Sequence, residues 1–215
     1  MGRKFGIVAA AGAVFALVSH ANAAFYGVPR ASKPQLERIV LQGPTLAPLG
    51  HTRFCLDHPK ECQVQHASFG RRGMVLEGRR WADLVKVNTK VNASIAPQAN
   101  TEGLVGEEWL LFPEAGDCND YAVTKRHKLL ARGWPSRSLL LAEVATTRGE
   151  HHLVLVVRTG KRDVVLDNLV GDIVPWSRTD YRWVRVQSPD NPAYWSTVRP
   201  GDTPVHAAAT ADGGA

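Results

Sequence analysis

The sequence has few cysteines, no block of like charges and no apolar run long enough to cross a membrane. Its apolar N-terminal run covers 14 residues, 5–18, whereas a membrane-spanning helix needs about 18 or more. Positive charges exceed negative ones by 6 over 215 residues, but no five like charges are consecutive, and this dispersion disfavours nucleic-acid binding. We therefore expect neither a nucleic-acid partner nor stable membrane insertion.

The short apolar run has the features of a secretory signal peptide. Arg3 and Lys4 precede it, and Ala21-Asn22-Ala23 follows as an A-x-A-type cleavage site. We predict a signal peptide over residues 1–23 and a periplasmic or secreted mature protein.

The remaining chain is long enough for one ordinary domain with its own core. Residues 24–53 carry several prolines and are predicted to be extended. Residues 54–200 are predicted to fold as a single domain. The small, polar residues 201–215 are predicted to form a disordered tail.

Three cysteines suit an exported protein with one disulfide and one free thiol. Cys55 and Cys62 flank a short loop and are predicted to form the disulfide, which should stabilise the fold by no more than about 2–3 kcal/mol. A metal site that adds His58 is the alternative, but the spacing matches no common zinc pattern. Cys118 is the cysteine left over.

Cys118 lies where a helix is predicted to begin. Apolar residues at helical spacing follow it, and Gly133-Trp134-Pro135 ends the pattern. Asp117 is the predicted N-cap and Asp120 the N3 residue. Because a helix N-terminus favours a thiolate over a thiol, Cys118 is a candidate nucleophile. A buried structural cysteine is the alternative.

A predicted β-hairpin carries a histidine and an aspartate. His152 opens one apolar run and Asp167 closes the next, with Gly160-Lys161 as the turn between them. A two-residue turn pairs Thr159 with Arg162 and places Asp167 diagonally across from His152 on the same face, with Cβ atoms about 7–8 Å apart. A slip of one residue would place the two side chains on opposite faces.

The rest of the domain is predicted to be helical before the hairpin and β-rich around it. A helix over 77–95 should bury one face, including two asparagines that cap backbone or line a cleft. Residues 96–116 are predicted to be a loop of about twenty residues. Strands are predicted over 137–146 and 181–187. The face of the 77–95 helix that is predicted to be buried consists of Trp81, Leu84, Val85, Asn88, Val91, Asn92 and Ile95.

One expectation concerns packing around Cys118. Trp109-Leu110-Leu111-Phe112, within the predicted loop, should pack beside the Cys118 helix.

Helices followed by an antiparallel sheet indicate an α+β fold. A cysteine at a helix start, a histidine on one strand and an aspartate on the next are the ingredients of a cysteine-nucleophile triad.

Three ordered segments resemble the bacterial transglutaminase-like cysteine peptidases (BTLCP), which include LapG-type periplasmic adhesin proteases. The segments are GDCNDYA (116–122), HLVL (152–155) and LDNL (166–169). The similarity runs from about residue 54 to 195, with further agreement at Phe54-Cys55 and Cys62, Val87-Asn88 and Val91-Asn92, and Pro175-Trp176. The resemblance implies a papain/transglutaminase-like fold in which the nucleophile helix packs on an antiparallel sheet.

The same resemblance implies site residues and a function. Cys118 is the nucleophile, His152 rather than His151 is the base, and Asp167 orients that base. The protein is then an exported cysteine endopeptidase that cuts a protein substrate such as a surface adhesin. An inner-membrane regulatory protein is an implied partner.

Calcium is an implied cofactor, because LapG-type proteins depend on it, although the sequence itself requires none. Asp117 and Asn119 are the candidate ligands, with Asn119 standing where LapG-type proteins have an acidic residue. Calcium takes six to eight oxygen ligands, more than this motif supplies. Helix capping by Asp117 and Asp120 is the alternative role.

Two other functions stay open. One is acyl transfer to an amine, as transglutaminases perform it. The other is a non-catalytic periplasmic binding or scaffold protein.

Overall fold

The computed structural model describes residues 1–2, 38–65, 76–101 and 103–199. The predicted signal peptide, apart from its first two residues, and the predicted tail lie outside these ranges. From residue 38 onward, the described residues belong to one unit, Pro34–Ala215.

Four α-helices and nine strands lie within the described ranges. The helices are α1 (Leu49–Asp57), α2 (Arg79–Ser94), α3 (Gly103–Gly106) and α4 (Cys118–Leu130). The strands are β1 (Leu41–Thr45), β2 (Ala96–Pro97), β3 (Ala115–Gly116), β4 (Leu139–Ala145), β5 (His151–Arg158), β6 (Asp163–Leu166), β7 (Val174–Pro175), β8 (Arg182–Gln187) and β9 (Trp195–Val198). None of these helices is both long and apolar enough to cross a membrane.

Seven strands form one antiparallel sheet in the order β1-β9-β8-β4-β5-β6-β7. Alternate residues of β4 and β5 point to opposite faces, and both faces are buried. One face packs with α2 and α4, and the other packs against Trp176 and Trp183. The predicted α+β class, with the Cys118 helix on an antiparallel sheet, is confirmed.

The predicted extended segment 24–53 differs from the structure where it is described. β1 pairs with β9 at the edge of the sheet, and α1 already begins at Leu49. Its prolines do not prevent this, because an edge strand leaves some backbone N–H groups without a ladder partner. Folded structure therefore starts ahead of the predicted boundary at residue 54.

The predicted burial of α2 is wrong at two positions. Trp81 and Val85 are 41% and 42% exposed, whereas Val87 is buried. The buried stripe starts at Leu84 and continues at positions i+3, i+4 and i+7, which turns Trp81 and Val85 toward the edge of the interface.

The two asparagines of α2 bind backbone. Asn88 donates its side-chain N–H to the carbonyl of Gly171 at 2.9 Å, and Asn92 donates to the carbonyl of Asp167 at 2.8 Å. They fasten α2 to the chain that follows β6.

Residues 96–116 are more ordered than the predicted loop. β2 and β3 form a small parallel pair, and α3 lies between them in the chain. Trp109 is buried in the core, whereas Leu110 and Phe112 are about half exposed. The segment lies beside α4 as expected, because the backbone N–H groups of Leu110 and Phe112 donate to Asp120 and Thr124 of that helix.

A bulge interrupts the regular alternation of side chains along β8. The register between β4 and β8 shifts at Glu143/Val144. Trp183 and Val186 therefore face the same apolar cluster although they are three residues apart.

Candidate active site

α4 begins at Cys118, with the predicted N-cap in place. The Asp117 carboxylate accepts the backbone N–H of Asn119 at 2.9 Å, and the Asp120 carboxylate accepts that of Asp117 at 3.0 Å. This capping box satisfies two N–H groups that the helix itself cannot pair. Gly116 leaves room for it, because a Cβ there would lie 2.1 Å from Asp120 Oδ2.

The hairpin that carries His152 and Asp167 has the predicted register. Thr159 donates its N–H to the carbonyl of Arg162 at 3.1 Å, so Gly160 and Lys161 form the two-residue turn. The ladder continues as far as the pair Leu155–Leu166. β5 continues beyond Leu155 as far as His151, whereas its ladder with β6 ends at this pair. The edge of β5 next to Asp167 therefore has no ladder partner from β6.

His152 and Asp167 form a buried pair. The imidazole Nε2 lies 2.8 Å from Asp167 Oδ1, and the two side chains are 4% and 3% exposed. Because an ionised carboxylate only accepts hydrogen bonds, the proton lies on Nε2 in the neutral imidazole. Nδ1 then carries a free lone pair and can act as a base.

Asp167 is held ionised by its hydrogen bonds. Burial opposes ionisation, but the hydrogen bond and charge of His152, with further hydrogen bonds from Tyr181 and the Leu169 N–H, leave its pKa below the usual value. The Leu169 N–H lies 3.0 Å from Asp167 Oδ1. Asp167 thus both caps the turn that follows it and binds His152.

His151 lies apart from this pair. Its Nδ1 is 2.7 Å from Glu143 Oε1, and its side chain is 68% exposed. The Glu143 carboxylate also accepts Arg185 Nε–H. Of the two adjacent histidines, His152 is the one that contacts Asp167.

Cys118 is the free cysteine and is half-buried beside β5. The backbone N–H of Leu153, on the open edge of β5, donates a hydrogen bond to its sulfur. Among the described residues, His152 is not a hydrogen-bond partner of this sulfur. Cys118, His152 and Leu153 line one cleft of about 530 Å³, together with Glu107 and Trp109.

The expected preference of Cys118 for the thiolate is wrong for this geometry. Burial raises the pKa of the thiol to about 12, and the carboxylates of Asp117 and Glu107 act in the same direction, against the hydrogen bond from Leu153. Desolvation and like charge outweigh the helix N-terminus. The surroundings of Cys118 in this arrangement therefore favour the thiol over the thiolate.

Oxygen-bearing side chains converge beside Cys118. Asn119 Nδ2 lies 2.6 Å from Glu107 Oε1 and 3.3 Å from Asp117 Oδ2. Burial raises the pKa of Glu107, and the Asp117 charge adds to this shift. Turning the Asn119 amide by 180° would place its oxygen beside the two carboxylates, a donor set that suits a hard cation such as Ca²⁺.

The predicted disulfide between Cys55 and Cys62 is present. His58 packs against Phe54, and it is His51 Nε2 that lies 3.5 and 4.0 Å from the two sulfurs. Bridged sulfurs offer no thiolate to a metal. His51 Nδ1 accepts the Trp195 indole N–H at 3.3 Å, and burial lowers the pKa of His51 to about 3. This cluster is structural.

Sequence reasoning missed Tyr181 and Glu107. The Tyr181 hydroxyl donates to Asp167 Oδ2 at 2.5 Å. Glu107 joins Asn119 from the stretch predicted to be a loop. Neither belongs to a local motif, so only the fold brings them to the site.

The chain was compared with known proteins. Residues 41–203 match the family described as "Bacterial transglutaminase-like cysteine proteinase BTLCP". Among solved structures, LapG of Legionella pneumophila is similar, with 26% identity, a TM-score of 0.43, and coverage of 49% of this chain and 62% of that chain. No match was found among curated proteins.

Two further LapG structures from Legionella pneumophila are similar at comparable levels. The calcium-bound form has 28% identity and a TM-score of 0.45, over 49% of this chain and 64% of that chain. The EGTA-treated form has 27% identity and a TM-score of 0.43, over 49% and 62%. The chain thus spans less than two thirds of these structures. On the match over residues 41–203, it belongs to the bacterial transglutaminase-like cysteine proteinases.

Proposed function

We propose that this protein is an exported cysteine endopeptidase that hydrolyses a protein substrate with Cys118, His152 and Asp167. The observation that carries the proposal is the buried His152–Asp167 pair, whose free imidazole nitrogen shares a cleft with the free thiol. The disulfide between Cys55 and Cys62 supports an oxidising compartment, the periplasm or the exterior.

The raised pKa of the Cys118 thiol favours general-base activation, in which a base takes the proton as the sulfur attacks. Cys118 first rotates away from the Leu153 N–H, and His152 Nδ1 takes its proton as the sulfur attacks the substrate carbonyl carbon. Asp167 stabilises the resulting imidazolium. The Cys118 backbone N–H, which has no acceptor within the helix, stabilises the oxyanion.

Collapse of the tetrahedral intermediate breaks the peptide bond. The His152 imidazolium gives its proton to the departing amine, and a thioester to Cys118 remains. Water then attacks the thioester carbonyl while His152 again accepts a proton. This step releases the carboxylic acid and restores the thiol.

Selective alkylation tests the proposal, because Cys118 is the one thiol outside the disulfide. We expect extracted bacterial surface proteins to gain new N-termini with the untreated protein and none after iodoacetamide treatment, as read by mass spectrometry. Modification should accelerate about tenfold per pH unit between pH 7 and 9, because a thiol of pKa about 12 is mostly protonated there. Equal cleavage before and after complete alkylation would refute the proposal.

The same products separate hydrolysis from acyl transfer. An added primary amine becomes attached to the new C-terminus if Cys118 transfers its acyl group to amines, and hydrolysis leaves a free carboxylate.

We propose hydrolysis, with a surface adhesin as the substrate and an inner-membrane protein as regulator by family resemblance. A complete absence of new termini would favour the scaffold function.

We further propose that Asp117, Asn119 and Glu107 hold calcium. The support is their convergence beside Cys118 and the chemistry of their oxygens. A bound divalent cation would supply positive charge that offsets the two carboxylates raising the thiol pKa.

Calcium is expected to raise the thermal unfolding midpoint of the wild type. At a concentration 100 times the dissociation constant, binding to the folded state alone adds about 2.7 kcal/mol. Glu107→Gln should lose most of this shift, because it removes a ligand charge, whereas the exposed neighbour changed as Glu108→Gln should keep it. A shift of equal size in both variants would place the ion elsewhere.

A further inference from the structure

Tyr181 contacts both members of the buried pair. It precedes β8, is 8% exposed, and donates its hydroxyl to Asp167 Oδ2. Its ring centroid lies 5.5 Å from that of His152, with the planes inclined by 58°. The phenol therefore binds the carboxylate and packs against the imidazole at the same time.

The two oxygens of Asp167 have different partners. His152 Nε2 and the Leu169 N–H share Oδ1, while Tyr181 binds Oδ2. Without the phenol, Oδ2 would be a buried carboxylate oxygen with a lost hydrogen bond, which is unfavourable unless the carboxylate turns or takes up a proton. Either change weakens the bond to His152.

The backbone of Asp167 is held separately. Asn92 donates to its carbonyl at 2.8 Å. Loss of the Tyr181 hydroxyl should therefore leave the chain after β6 in place and affect the carboxylate alone.

We propose that Tyr181 is a positioning residue, whose hydroxyl fixes the Asp167 carboxylate so that Oδ1 stays on His152 Nε2. The inference rests on the proposed function for its catalytic consequence. Tyr181 acts through Asp167 and is not one of the residues that line the cleft beside Cys118.

Asp167 also acts on other ionisable groups. Lys125, on α4, is buried, and the Asp167 charge influences the pKa of Lys125 and that of Cys118. These groups remain unchanged when the Tyr181 hydroxyl alone is removed, so Tyr181→Phe isolates its contribution.

Tyr121 offers a matched control. It is also buried, at 3% exposed, and donates its hydroxyl to the carbonyl of Ile95 at 2.6 Å, away from Asp167. We expect Tyr181→Phe to lower kcat about 10–100-fold with KM within twofold, as small misplacement of a catalytic group does. Tyr121→Phe should lower kcat less than threefold. Equal effects of the two variants on kcat would overturn the proposal.

A double-mutant cycle distinguishes positioning from general structural damage. If Tyr181 acts through Asp167, Tyr181→Phe should have less than a twofold effect on kcat in an Asp167→Asn background. A loss in that background as large as in the wild type would overturn the proposal. The decisive comparison is between Asp167→Asn alone and Asp167→Asn combined with Tyr181→Phe. Any structural damage caused by Asp167→Asn is therefore present on both sides of it.

A readout without substrate separates this inference from the proposed function. The His152 Nε2 proton should give a slowly exchanging downfield NMR resonance in the wild type and in Tyr121→Phe. The resonance should exchange at least tenfold faster in Tyr181→Phe and be shifted in Asp167→Asn. If no peptide is cleaved but this pattern holds, the positioning inference stands and the peptidase proposal fails. An unchanged resonance in Tyr181→Phe would overturn the inference whatever the activity.

Discussion

Cys118→Ser is expected to reduce kcat/KM by about 10⁴-fold or more. The serine hydroxyl is nearly the same size as the thiol, but it is a much weaker acid, and the burial that raises the pKa of Cys118 disfavours an alkoxide further. Initial rates on a substrate found among the cleaved surface proteins measure the loss. The thermal unfolding midpoint should stay within a few degrees of the wild type.

The two bridged cysteines provide the matched control. Cys55→Ala combined with Cys62→Ala removes both sulfurs of the disulfide and keeps Cys118. We expect this variant to retain kcat within about threefold, while its free energy of unfolding falls by about 2–3 kcal/mol. Retention of full activity by Cys118→Ser, or its loss in the double variant at a temperature where that variant is folded, would contradict the assignment.

His152→Ala is expected to reduce kcat/KM by about 10⁴–10⁶-fold, because members of a nucleophile–base unit lose nearly all activity singly. The change removes the nitrogen that we propose accepts the thiol proton, and it leaves Asp167 as a buried carboxylate with one partner fewer. Rates measured with the same substrate at pH 7 to 9 provide the test.

The adjacent histidine offers a control of the same chemistry one position away. His151→Ala removes an exposed ring that is hydrogen-bonded to Glu143, so its effect on kcat should stay below about tenfold. Similar losses at 151 and 152 would remove the basis for choosing His152 as the base. A loss confined to 151 would reverse the choice.

Local rules account for much of what could be predicted from the sequence. The capping box at Asp117 and Asp120 depends on spacing within one helical turn, and the turn at Gly160 determines the ladder that brings His152 to Asp167. Both are short-range features, in which one residue type performs one geometrical task. The disulfide joins cysteines that are close in the chain.

Long-range contacts account for what was missed. Tyr181 reaches Asp167 from the segment between β7 and β8. Glu107 reaches Asn119 from a stretch whose sequence has no helical or strand periodicity. The exposure of Trp81 depends on the rotation of α2 about its own axis against the sheet. The hydrophobic pattern of α2 determines that rotation only to within about one residue. The pKa of Cys118 reflects burial and neighbouring carboxylates that no helix-end rule contains.

The hairpin that joins His152 to Asp167 has a consequence for when activity can arise. The two residues are 15 positions apart and are brought together by a tight turn, so only a short stretch of chain has to be ordered before they can meet. The thiol comes from a separate helix that reaches them only when it docks on the sheet. Before α4 docks on the sheet, or after heat has separated the two, the imidazole has no thiol beside it, so the proposed site is complete only in the folded domain.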